Sequence, residues 1–220
     1  ADVIHPPVGR NSRRQSLVVV RDVGVGDGFL KFSGRFSIRF DGSDMRRISN
    51  GLGRTTCGFF YDRDRRVLYS SSFQHDKACP PRPDQSFGYV WPLGHLEIYT
   101  SKTDGSDLQQ LTRNGAYNAE STVSPDGKTI IFTSTVDGDI EIYTMTVDGR
   151  NIRRITRRVG YDGGAFFSPD GTKIVWRAAY PATAVDTADY LRLLGNRLVR
   201  PPRVEHWVAD AAGGNVRQIT

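Results

Sequence analysis

The chain has 220 residues, 38% of them apolar, 25% charged and 10% aromatic, a composition of globular rather than disordered proteins. No apolar run approaches the roughly 18–20 residues of a membrane-spanning helix; the longest aliphatic stretch is Leu17-Val18-Val19-Val20, so a spanning helix is excluded, and a coiled coil with it. The formal net charge is +6, and only Lys31, Lys77, Lys102, Lys128 and Lys173 among the 30 cationic residues are lysines, which leaves an arginine-rich surface suited to bidentate or stacked contacts with acidic groups.

Twenty-three glycines and 11 prolines, with aromatics far outnumbering the two methionines, favour many short strands joined by tight turns. The chain opens Ala1-Asp2-Val3, and a small first residue is what signal-peptide cleavage leaves. Residues 1–35 read as a divergent amino-terminal segment carrying part of a first repeat unit, and 36–220 as the repeats proper, in one domain. Gly24-Val25-Gly26-Asp27-Gly28 follows a strand-like run, but it lacks the third glycine and following helix of a dinucleotide loop and reads as a turn.

From there an internal echo organises everything. Thr122-Val123-Ser124-Pro125-Asp126-Gly127 recurs as Phe166-Phe167-Ser168-Pro169-Asp170-Gly171, a step of 44. Glu97-Ile98-Tyr99-Thr100 recurs as Glu141-Ile142-Tyr143-Thr144, and Leu111-Thr112 as Ile155-Thr156, at the same step. Asp41-Gly42-Ser43-Asp44 maps on Asp104-Gly105-Ser106-Asp107 at 63, and Gly149-Arg150-Asn151 on Gly213-Gly214-Asn215 at 64. The excess over 44 is 19 and 20 residues, which places insertions at roughly His75–Gly94 and Ala178–Arg203.

Within one unit the pattern predicts four strands, over Asn118–Val123, Lys128–Ser134, Ile140–Val147 and Asn151–Thr156, with Ser-Pro-Asp-Gly and Asp-Gly at the turns. Four antiparallel strands per 40–45 residues make the blade of a β-propeller, and blades must stack to bury both faces. The expected fold is therefore all-β: a propeller of about four four-stranded blades, the first degenerate, incomplete or open, with one short helix. That helix lies in the second insertion, capped by Asp186 or Thr187, with Tyr190, Leu191 and Leu194 as its apolar stripe and Gly195 as its stop.

The Ile/Leu-Thr ending, the Ser-Pro-Asp-Gly turn and the Ile-Tyr strand before Asp-Gly together resemble TolB-like propeller repeats. The resemblance covers residues 36–220, with Tyr61-Asp62-Arg63-Asp64 standing where unit two should have Ser-Pro-Asp-Gly. It implies a periplasmic or otherwise extracytoplasmic protein whose circle is completed by more blades than the three full units present. An open propeller, an unusual four-bladed closure, or edges covered by a partner all answer that shortfall. Cys57 and Cys79 read either as two buried thiols or as one disulfide; given such an address, a Cys57–Cys79 bridge is expected to pin the first insertion and to contribute about 3 kcal/mol.

In a four-strand meander both insertions and the inter-blade loops project on one face, and loops of some 20 residues are often functional. Candidate partner-binding residues there are Arg54, Tyr117, Glu120, Tyr161, Asp162 and Arg177 at the mouth, with Tyr89 and Trp91 on the first insertion. Tyr89 and Trp91 either anchor a partner or fold back over the blade; the helix either packs as a lid or presents Arg192, Arg197, Arg200 and Arg203 for recognition. Four histidines show no paired metal spacing, and His95 and His206 take packing positions in the repeat. No Gly-x-Ser-x-Gly elbow is present, and neither a metal nor a cofactor is expected.

Arginine pairs (Arg46-Arg47, Arg153-Arg154, Arg157-Arg158) flank last strands and read as a solvated, aggregation-resistant edge or as a docking charge. The function expected is non-enzymatic: binding of protein, through an acidic surface or the periplasmic face of a membrane complex, as scaffold or accessory subunit. It would be peripheral, not spanning, and would not bind nucleic acid, for which no motif is present. The rivals are a peptide- or carbohydrate-binding funnel, and a hydrolase or lyase using Glu120, Asp162 and His75.

Overall fold

The computed structural model describes residues 16–23, 32–39, 42–78, 80, 84–200 and 203–220. Blade 1 holds β1 (Ser16–Val23), β2 (Phe32–Arg39) and β3 (Arg46–Arg47). Blade 2 begins with β4 (Thr55–Tyr61) and β5 (Arg66–Ser71), passes through β6 (Trp91–Pro92) in its insertion, and ends with β7 (Glu97–Lys102) and β8 (Gln109–Gln110). Blade 3 is β9 (Asn118–Val123), β10 (Thr129–Ser134), β11 (Glu141–Thr146) and β12 (Arg153–Arg154). Blade 4 is β13 (Tyr161–Phe167), β14 (Lys173–Ala179), then α1 (Ala184–Gly195) and β15 (Leu198–Val199) in its insertion, then β16 (Glu205–Asp210) and β17 (Arg217–Gln218). Blades 2 to 4 are four-stranded antiparallel meanders, and blade 1 has three strands among the described residues.

Successive innermost strands β4, β9 and β13 lie side by side, and apolar layers fill each seam. Ile130 and Phe132 face blade 2, packing with Leu68, Ile98 and Leu111, while Ile131 faces blade 4 and packs with Ile174 and Trp176. Burial on both faces is why β10 reads Ile-Ile-Phe without polar alternation. Among the described residues no strand of blade 4 touches blade 1, so the ring is open. The open face of blade 4 carries Val175 and Val208, half-buried, where their counterparts Ile131 and Thr144 in blade 3 are buried.

The repeat signature has a physical reading at each conserved position. The hydroxyl that ends a unit accepts the backbone N–H of the strand paired with the unit's last one: Ser49 from Arg35 (3.0 Å), Thr112 from Ile98 (2.9 Å), Thr156 from Ile142 (2.9 Å) and Thr220 from His206 (2.7 Å). That side-chain bond replaces ladder pairing, so the fourth strand is shorter than the Asn151–Thr156 expected: only Arg153 and Arg154 pair with β11. In the Ser-Pro-Asp-Gly turn, Ser124 Oγ donates to Asp126 Oδ1 (2.6 Å) and accepts from Thr129 N–H (2.9 Å), and Ser168 repeats the pattern.

Gly149 adopts φ +82, and a Cβ there would stand 2.8 Å from the Leu111 carbonyl oxygen of the preceding blade. Gly105 meets Ile48 in the same way, whereas a Cβ on Gly42 of blade 1 has nothing within 4 Å. The Asp-Gly turn thus docks each blade on the last strand of its predecessor. Gly149→Ala is expected to cost about 3 kcal/mol, from left-handed strain plus a backbone clash, and Gly127→Ala about 1 kcal/mol from strain alone. Urea denaturation of the two variants checks the difference.

Candidate functional site: the propeller mouth and its lid

In blades 2 to 4 the innermost strand carries a β-bulge at an equivalent place, marked by a left-handed residue: Cys57 (φ 49), Glu120 (φ 55) and Gly164 (φ 62). The kink brings the side chains of the first two to the propeller axis. Glu120 accepts from Arg177 Nη2 (2.8 Å) and from Thr133 Oγ1 (3.0 Å), whose own oxygen accepts Gly164 N–H (3.2 Å). Glycines at 163 and 164 permit this: a Cβ on Gly164 would lie 2.4 Å from Arg177 Nη2, and one on Gly163 2.8 Å from Glu120 Oε2.

Tyr117 and Tyr161 close around the same pair. Burial, then the Glu120 charge, pushes both phenols well above their ordinary range, so they are neutral at any physiological pH. Burial likewise raises the Cys57 thiol, again with Glu120 adding to it. Arg54 acts on Tyr117 from blade 2. The mouth therefore gathers Arg54, Tyr117, Glu120, Tyr161 and Arg177 into one coupled group.

Asp162 is not part of that surface. It is fully buried, and its carboxylate turns into the blade 3–blade 4 seam, accepting from Trp176 Nε1–H (2.6 Å) and Tyr180 Oη–H (2.8 Å). Period-two alternation accounts for this, since Asp162 lies next to Tyr161 and points the other way. Cys57 joins the mouth instead, a place that the step of 63 to Glu120 already encoded. Among the described residues no disulfide is present: the left-handed bulge turns Cys57 toward Thr56 and Glu120, where it stands as a free thiol. Cys79 lies outside the described residues. The insertion is tied down by backbone instead, Gly53 N–H donating to Lys77 O (2.8 Å).

The two insertions do not lie separately on their own blades. They clasp one another, β6 pairing antiparallel with β15 through Leu198↔Pro92 and Val199↔Trp91, extended by Leu93 N–H to Arg197 O (2.7 Å). Leu193, Val90 and Leu198 form the clasp's core with Phe87. Arg192 stacks on the Phe87 ring at 5.3 Å, and Arg200 donates to Phe87 O (3.1 Å). Underneath, Leu93, Val199 and Tyr190 pack on Ile140 and Tyr161 of the blades. The His95 ring packs against the His75 ring, centroids 3.8 Å apart and tilted by 41°, and meets the Arg197 guanidinium of the second insertion at 2.5 Å, a contact that separation in sequence concealed. His206 is exposed on β16, its ring 3.3 Å from Thr220 Oγ1, so it does not take the packing position expected of it.

The helix is as placed, with different ends. Thr183 is its cap, accepting Asp186 N–H (3.1 Å) and donating to the Asp186 carboxylate (2.7 Å), and Asn196 closes it one residue beyond Gly195. Its buried stripe is Tyr190, Leu193 and Leu194, because i, i+3 and i+4 share a face; Leu191 points outward and is exposed. Tyr89 and Trp91 do not fold back: they stand 73% and 41% exposed on the outer side of the clasp, the Trp91 indole N–H donating to Tyr89 Oη (3.3 Å). Cavities of about 300 and 500 Å³ flank α1, one over the Tyr117 loop and one beside Tyr180 and Arg203. Among the described residues no cluster of three or more metal-ligating side chains is present.

Stacked four-stranded blades around a shared axis, with bulged inner strands, define an open β-propeller. Residues 90–185 match the family described as TolB beta propeller domain, and the chain resembles TolB-like propeller repeat proteins. Among solved structures, a protein assigned as TolB from Agrobacterium tumefaciens superposes with a TM-score of 0.66 at 22% identity, covering 92% of this chain and 60% of that one. A chain of a nidogen/laminin complex gives a TM-score of 0.52 at 12% identity, covering 86% of this chain and 59% of that one. An oligogalacturonate lyase in complex with manganese gives 0.50 at 13%, covering 85% and 42%. At these identities the likeness is one of fold, and the chain spans about 60% of the length of the Agrobacterium protein. No curated protein matches it.

Proposed function

We propose that this propeller binds protein, without enzymatic activity, in an extracytoplasmic and specifically periplasmic setting, as a scaffold or accessory subunit of a larger assembly. The observation that carries the reading is the pair Tyr89 and Trp91, exposed on a clasp whose backbone is held from two blades. Rigid aromatic side chains in open solvent are the residue types that dominate protein interfaces, and prior rigidity lowers the ordering cost of association. Arginines on the clasp fit a partner with an acidic surface. The resemblance to TolB-like propellers and the absence of a helix among the described residues able to cross a membrane fit a peripheral role. The likeness to a chain of a nidogen/laminin complex supports a docking surface in this fold.

The enzyme alternative draws on the likeness to an oligogalacturonate lyase. Against it, its three candidate groups are engaged separately: Glu120 by Arg177, Asp162 inside the seam, His75 by the His95 ring. Affinity capture from a native envelope fraction, with the Tyr89→Ala/Trp91→Ala double variant as comparison, tests the binding reading. The variant is expected to lose the captured partner about 100-fold or more while its melting temperature stays with the wild type. Unchanged capture overturns it.

A further inference from the structure

The blade 2–blade 3 and blade 3–blade 4 seams carry the same buried polar pair with one atom changed. At the first seam Asn118 Nδ2 donates to Glu97 Oε2 (3.1 Å), to Leu96 O (3.0 Å) and to Asn114 Oδ1 (2.7 Å). One step of 44 along, Glu97 becomes Glu141 and Asn118 becomes Asp162, both fully buried. Asp162 Oδ1 takes the Trp176 and Tyr180 donors, whereas Asp162 Oδ2 and Glu141 Oε2 are buried with no hydrogen-bond partner. An oxygen thus stands where the repeat needs a nitrogen donor aimed at acceptors.

We propose that the blade 3–blade 4 seam holds one proton between these two carboxyl groups, carried on Asp162 Oδ2 and directed toward Glu141, and that losing it loosens the seam. Asp162 is the protonated member because the surrounding charges favour Glu141 as the anion. The Arg154 guanidinium lies 2.6 Å from Glu141 Oε1 and is shared with Asp137 at 3.5 Å. Asp162 meets only neutral donors, from β14 and from Tyr180. Arg158, which stacks 4.0 Å from the Tyr180 ring centroid, is spent on that ring, and Asp139 is held by Tyr190 of α1 (2.5 Å). The Thr156 hydroxyl acts on both carboxylates but has a single proton to give.

Burial raises Asp162 from 3.8 to about 7, with the nearby Glu141 charge adding to it. Between those values the folded seam keeps a proton that the unfolded chain has released. The stabilisation is therefore complete below pH 3.8, declines as pH rises toward about 7, and changes no further above that.

Asp162→Asn restores the Asn118 chemistry and is the decisive variant. Unfolding constants from urea titrations between about pH 4 and pH 8 are expected to diverge, wild type relative to D162N, by about tenfold per pH unit up to about 7. Parallel pH profiles overturn the proposal. Infrared difference spectra of the wild-type protein supply a readout independent of how D162N folds. A protonated-carboxyl band that disappears as pH passes about 7 is expected, and its absence at mildly acidic pH equally overturns the proposal.

Discussion

Trp176→Ala is expected to cost about 3–5 kcal/mol, the range for emptying a large aromatic site in a packed core. Trp176 is 1% exposed and fills the seam between blades 3 and 4 with Ile131, Ile142 and Ile174. Domains of this kind retain only about 5–15 kcal/mol in all, so the variant sits close to unfolding. Its position also separates two contributions. Trp176→Phe keeps most of the apolar volume but removes the indole N–H that reaches Asp162 Oδ1 at 2.6 Å, and a lost donor to a buried group costs about 1–3 kcal/mol. Val185→Ala, on the outer side of α1 and 78% exposed, is the control, expected within about 0.5 kcal/mol of wild type. Urea denaturation of all three checks the ranking, and a Trp176→Ala loss no greater than that of Val185→Ala would mean the seam is not where the stability resides.

The propeller was legible because its determinants repeat. The terminal Thr, the Ser-Pro-Asp-Gly turn and the Asp-Gly turn each perform one local task, and a task done once per blade leaves one period in the sequence. The mouth followed in part: Tyr117, Glu120, Tyr161 and Arg177 are repeat positions on inner strands and the strand beside them. Asp162 lies away from the mouth because strand alternation turns it into the seam one residue beyond Tyr161. Cys57 reaches the mouth because the step of 63 lays it on Glu120, a position that the expectation of a disulfide obscures. The clasp was not legible at all. Its pairing of Trp91 with Val199 joins two insertions that share no repeat position, and only three-dimensional neighbourhood brings their apolar residues together. The same holds for Arg197 against His95 and for Arg192 over Phe87.

That clasp makes the second large effect. Leu193 is 1% exposed and packs against Val90, Leu198 and Phe87, so a carboxylate there has no cationic partner inside that apolar cluster. Leu193→Asp places an unpaired charge in a dry site, a change of about 3–5 kcal/mol, on an element whose own local stability is smaller than that of the blades. The lid is expected to open while the blades persist, because none of the seam residues around Phe132 or Trp176 belongs to this cluster. Limited proteolysis should then cut within 180–204 and 84–94, with the main calorimetric transition retained. Partner capture should fall with it even though Tyr89 and Trp91 are unchanged, because two aromatics on a released loop must be ordered again on binding. Protease resistance equal to wild type, or loss of blades and lid in one transition, would show that the insertions are an integral part of the propeller core and not a clasp laid over it.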